Sequence, residues 1–137
     1  MDYVALKSEL VNDPAALGYA PYLADGNNTD IARLMNAIGS YQIARKIIPS
    51  YEVINATTPS EWAALTSAEK QRYQTITGAA QIDVSNANVV SAFAAMFAAG
   101  TSTRTALVAL TTRPGSRAEF LGFGPVTILD IANARLA

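Results

Sequence analysis

Apolar side chains recur at helical spacing along most of the chain, and each run has a start and a stop that can be named. Tyr3, Leu6 and Leu10 follow Asp2, a good helix cap, and predict a helix through about Asn12 that ends at Asp13-Pro14. The stretch to Asn28, with Gly18 and Gly26 as breaks, reads as a short helical turn and a loop. A second helix opens at Thr29 or Asp30, carries Ile31, Leu34, Met35 and Ile38, and stops at Gly39. The β-branched run Ile43, Ile47, Ile48 before Pro49 predicts a strand or extended arm over Tyr41 to Ile48. Ser50 is then placed to cap a brief helix from Tyr51 to Ala56.

Two segments have the Ser/Thr-x-x-Glu signature in which an N-cap hydroxyl and a third-position carboxylate satisfy each other's backbone donors. They are Thr58-Pro59-Ser60-Glu61 and Thr66-Ser67-Ala68-Glu69. The second helix runs to about Thr77 and Gly78. Gln81 to Val84 reads as extended, and Ser85 as the cap of the longest apolar helix, bearing Val89, Val90, Phe93, Met96 and Phe97 and closed by Gly100. A helix over Thr103 to Thr112 and a shorter one over Pro114 to Leu121 follow. Val126 to Leu129 reads as extended before a terminal turn. The expectation is a mainly α fold of about six to eight short helices with one or two short strands. No composition shift or repeat divides it, so residues 1–137 read as one domain.

Composition narrows the chemistry. With no Cys and no His among 137 residues, disulfides, thiol nucleophiles, the usual zinc ligands and the one side chain that titrates near neutrality are missing. The net charge of −1 gives no electrostatic footprint for nucleic acid. The N-terminal residues lack the basic and apolar regions of a secretory signal. Val84 to Thr103 contains no charge, but its apolar part is short and Ala-rich where a membrane span needs roughly 20 apolar residues.

The eleven carboxylates are scattered, and Asp2, Asp30, Glu61 and Glu69 are accounted for as helix starts. Asp25-Gly26-Asn27-Asn28-Thr29-Asp30 is oxygen-rich but lacks the register and closing Glu of a calcium loop. No lysine lies in a Ser-x-x-Lys pattern, and no glycine run follows a strand as a phosphate loop does. Arg104, Arg113, Arg117 and Arg135 read as solvated or paired with Glu119 and Asp130. Trp62, Tyr73, Phe93, Phe97 and Phe120 read as core aromatics. Neither an enzyme nor a cofactor is expected.

Charged residues make up only 15% of the chain, against the usual quarter, while 50% are hydrophobic. Segments 17–28, 41–49 and 122–137 hold aromatics and aliphatics with no evident place in a small core. Such surface is normally covered by a partner. The residues this assigns to a protein interface are Tyr19, Tyr22, Ile47, Ile48, Phe123, Ile128 and Leu129.

Several patterns in order give the chain a resemblance. They are Leu6-Lys7 with Asp13-Pro14 and Leu17-Gly18-Tyr19-Ala20, then Ala32 with Met35-Asn36. Glu52-Val53-Ile54-Asn55-Ala56, Glu61-Trp62-Ala63-Ala64-Leu65-Thr66 and Ser116-Arg117-Ala118-Glu119-Phe120-Leu121-Gly122 complete the set. Together they resemble a family of small tailed-bacteriophage proteins known as phage or virion proteins. The chain departs from that family after Leu121-Gly122, where a Pro-Gly-His-like segment is replaced by Phe123-Gly124-Pro125-Val126-Thr127. The resemblance implies a non-enzymatic virion component, assembled in the host cytoplasm, in the tail or neck or decorating the capsid. It would bind other phage structural proteins and copies of itself, with no nucleic acid or membrane partner. The competing expectation is a soluble adaptor or regulator that binds one phage or host protein transiently.

Overall fold

The structure, a computed structural model, describes all 137 residues. In chain order it contains α1 (Tyr3–Asn12), α2 (Ala20–Asp25), α3 (Asn28–Asn36), β1 (Ile38–Ala44), β2 (Ile47–Pro49), α4 (Ser50–Ala56) and α5 (Pro59–Ala63). These are followed by α6 (Ser67–Thr77), β3 (Gln81–Asp83), α7 (Ala87–Met96), α8 (Ser102–Leu110), β4 (Thr112–Ser116), α9 (Arg117–Phe120) and α10 (Ile128–Leu136). The fold is mainly α, as the periodicity predicts, but with ten helices and four short strands. The chain forms two compact units, residues 1–43 with 114–137 and residues 44–113. The boundaries fall inside β1 and β4, which pair with each other. Nothing in the hydrophobic pattern announces this division.

Unit 1 is built on α1, α3 and α10. Leu6, Leu10, Ile31, Met35 and Ile131 are all at most 2% exposed and form its centre with Tyr19, Ala118, Val126 and Ala134. Asp2 caps α1 as expected, accepting from the Ala5 amide. After α1 the backbone turns through a left-handed Asp13 (φ 40°). The Asp13 carboxylate then accepts from the amides of Leu17, Gly18 and Tyr19 at 2.8, 2.7 and 3.3 Å. These three bonds fold the 14–19 loop back and carry the Tyr19 ring into the core.

The C-terminal segment is helical where an extended piece is predicted. Thr127 and Asp130 form a complete capping box and start α10. Just before it, the Asn36 side chain both donates to the Val126 carbonyl and accepts from its amide, at 2.6 and 2.9 Å. The backbone of Val126 therefore needs no strand partner. Ser116 and Glu119 form another capping box at α9, so Pro114 to Ser116 is strand and only Arg117–Phe120 is helix.

In unit 2, β2 and β3 pair antiparallel, with Ile48 opposite Ile82 and Ile47 opposite Asp83. Ile48 and Ile82 point inward to join Val53, Leu65, Tyr73, Phe93 and Phe97. Tyr73 meets Phe93 and Phe97 edge-on, with ring centroids 6.2 and 6.3 Å apart, the arrangement that aromatic quadrupoles favour. The Thr66–Glu69 capping box forms as predicted.

Two other helix starts are corrected. Ser50 is the first residue of α4, its hydroxyl donating to the Ala79 carbonyl, and Pro49 holds the cap position. Asn86, not Ser85, caps α7 by accepting from the Asn88 and Val89 amides. Ser85 instead bonds Asp83. The uncharged segment 84–103 divides into a turn, the ten residues of α7 and the start of α8, and no helix is long and apolar enough to cross a membrane.

Candidate interaction surfaces

The seven residues assigned to an interface separate into three groups. Tyr19 and Ile48 are corrected, being 0% and 1% exposed in the cores of units 1 and 2. Tyr19 is carried inward by the Asp13 carboxylate. Ile48 is turned inward by the strand alternation that leaves its neighbour Ile47 outside. Tyr22 and Phe123 are half-buried against the unit 1 core, and Phe123 also lines an open groove of about 420 Å³ beside Ser8, Glu9 and Asn12 of α1. Ile47, Ile128 and Leu129 are exposed.

Both apolar tips are therefore largely internal to unit 1, since Tyr19, Val126, Ile131 and Ala134 are buried there. What stays outside is narrower. On α1, Val4 and Val11 lie seven residues apart on a face away from Leu6 and Leu10, and both are exposed. On α10, Leu129 and Leu136 are likewise seven apart and exposed. The two helices pack against each other. Tyr3 donates to Asp130 and Lys7 to the Ala137 carbonyl, so α1 and α10 lie side by side in the same direction. Val4, Val11 and Leu136 were legible only as the apolar residues left over from the buried faces.

Several charged groups are committed to structure. Arg117 is neither surface-solvated nor paired as expected: its Nε and Nη2 donate to the two oxygens of Glu9, both at 2.8 Å, in a pair largely withdrawn from water. The same guanidinium lies 5.6 and 5.7 Å from the ring centres of Tyr41 and Phe120. Phe120 is thus a half-exposed lid on this cation and not a core residue. Arg135 donates to the Asn28 side chain and the Leu23 carbonyl.

Glu61 does not close a box with Thr58. Its oxygens accept from the Ser102 and Thr103 amides at 3.0 and 2.8 Å, capping α8 from 41 and 42 residues away. The hydroxyl and amide of Thr103 and the amide of Ser102 hold its carboxyl below the usual glutamate range. Asp30 is held low by Arg33 and then Asn27, and no group of three or more acids converges on a metal-sized site.

The tyrosine hydroxyl of Tyr19 is buried without a hydrogen-bond partner. Burial, then the nearby charges of Glu9 and Asp13, push its ionisation well above the usual tyrosine range. In unit 2, side chains of α4, α7 and α8 line an apolar pocket of about 120 Å³ that is partly open to solvent, with Val90 and Val108 exposed at its margin. The chain matches no family model, no curated protein and no solved structure.

Proposed function

We propose that this chain is a virion structural protein of a tailed bacteriophage, a non-enzymatic assembly subunit of the tail or neck that binds other particle proteins and copies of itself. The observation that carries the reading is the pair of helices α1 and α10, which leave Val4, Val11, Leu129 and Leu136 between 67 and 87% exposed. Large aliphatics repeated on neighbouring helices gain roughly 25 cal/mol for each Å² of apolar surface a partner covers. The low charged fraction supports the same reading, because interface centres are depleted of charge. Ile128 and Ile47 extend the assigned apolar surface; Tyr19 and Ile48 no longer belong to it.

Sedimentation of the purified chain at micromolar concentration, together with mass spectrometry of intact particles, tests the proposal. A closed oligomer and a signal from particles are expected. Leu129→Asp with Leu136→Asp should reduce the oligomer to monomers that keep the parent's far-UV circular dichroism, since both side chains lie outside the core. A monomer never found in particles defeats the proposal and favours the adaptor.

A further inference from the structure

The pocket of unit 2 combines an apolar lining with one charged side chain. It is partly open to solvent, measures about 120 Å³ and is walled by Val53, Val89, Phe93, Leu107 and Leu110. An apolar cavity of about 150 Å³ stays dry and accepts benzene, so the space here suits a hydrocarbon of about five carbons.

Arg104 is the one charged residue in the lining. Its Nη1 donates to the Ala94 and Phe97 carbonyls at the end of α7, at 3.3 and 3.1 Å. A guanidinium has five N–H donors, and those on Nε and Nη2 have no acceptor in the chain. Arg33, Arg45 and Arg117 each hold a carboxylate, whereas Arg104 holds none. The site is therefore hydrocarbon on its walls with one unneutralised cation at its edge.

We propose that this cavity binds a short-chain monocarboxylate, with its alkyl chain in the void and its carboxylate on Nε and Nη2 of Arg104. A neutral hydrocarbon of the same size fills the space and leaves the cation unpaired. An anion with a second charge places that charge against aliphatic side chains, and a long-chain acid exceeds the volume. The exposed Val90 and Val108 mark the side from which the ligand enters. A carboxylate on a guanidinium gains charge-assisted bonds that strengthen as the apolar walls exclude water. The site is independent of the assembly surface on α1 and α10, and neither reading requires the other.

The test is a titration of the ¹⁵N-labelled full chain with sodium hexanoate, followed by amide chemical shifts, with 1-hexanol and acetate as separate titrants at constant ionic strength. Hexanoate should give saturable shifts confined to amides around Val89 to Phe93 and Leu107 to Thr111. Hexanol should bind about tenfold more weakly, as the loss of one hydrogen bond to a charged group dictates, and acetate should not saturate. Arg104→Met removes both hydrogen bonds and should weaken hexanoate by more than the tenfold that separates it from hexanol, with a smaller loss for hexanol. Because Arg104 also holds the end of α7, a second variant is needed: Ala94→Leu fills the void with Arg104 in place and should abolish hexanoate binding. Equal affinity for hexanoate and hexanol, undiminished binding to Ala94→Leu, or no saturable shift at the solubility limit each overturns the proposal.

Discussion

The pair formed by Glu9 and Arg117 makes the most quantitative demand on the structure. Their side chains are only 6 and 12% exposed, and both hydrogen bonds are 2.8 Å long. Removing one member of such a pair leaves the other charge desolvated and unpaired, which costs about 3–5 kcal/mol. Glu9→Leu should fall in that range, because Arg117 keeps its place over Tyr41 and Phe120. Arg117→Met should fall at its upper end, since it also forfeits two cation–aromatic contacts worth about 0.5–1 kcal/mol each.

The double variant Glu9→Leu/Arg117→Met removes both charges together. It should lie within about 1–2 kcal/mol of the parent, because apolar replacement of a whole buried pair is close to neutral. The cycle therefore predicts a coupling of at least about 3 kcal/mol. Urea unfolding at neutral pH, followed by far-UV circular dichroism, measures it. Repeating the cycle at roughly 0.05 and 0.5 M salt adds a second criterion, since a pair shielded from solvent is screened little. A coupling below about 1 kcal/mol, the range of exposed pairs, or one halved by the added salt would falsify the burial argument.

Two further outcomes follow from unit 1 and unit 2 separately. A Cβ at Gly115 would run into Ile43 Cγ1 and come within 3.0 Å of Glu119 Oε2, so Gly115→Ala should destabilise by about 1–3 kcal/mol. Ile43→Ala should then cost less in the Gly115→Ala background than in the parent, and equal costs in both backgrounds would locate the strain elsewhere. Glu61 has a carboxyl pKa lowered by Thr103 and Ser102, so its contribution to stability is complete above the ordinary glutamate value near 4.5 and is lost as pH falls through the lower folded value. The stability gap between parent and Glu61→Gln should accordingly be full at pH 7 and close in acid, as thermal melts across that range will record; a gap that widens in acid has the wrong sign for this linkage.

Elements whose signals are local were legible. Asp2 and Thr66 cap α1 and α6 because the donors they satisfy lie within three residues of them. The same reasoning misplaced Glu61, for a partly exposed carboxylate has several sets of free amides within reach and sequence separation does not rank them. Thr127-x-x-Asp130 had the form of a cap, yet the aliphatic run Val126 to Leu129 satisfied the strand pattern equally well. Asn36, 90 residues earlier, removed the ambiguity by occupying the Val126 backbone. Of the residues assigned to an interface, Ile47, Ile128 and Leu129 are exposed, whereas Tyr19 and Ile48, which look no different from them in composition or spacing, are buried.

What the amino-acid order determined by itself is the helical class, the extents of α1 and α6, and the absence of thiol and imidazole chemistry, since each depends on residue type or on neighbours within one turn. Tertiary structure alone decided that there are two cores, that Glu9 and not Glu119 neutralises Arg117, and which apolar residues remain at the surface. Those outcomes turn on contacts between residues up to 130 positions apart, and an apolar side chain carries no mark of which surface will cover it.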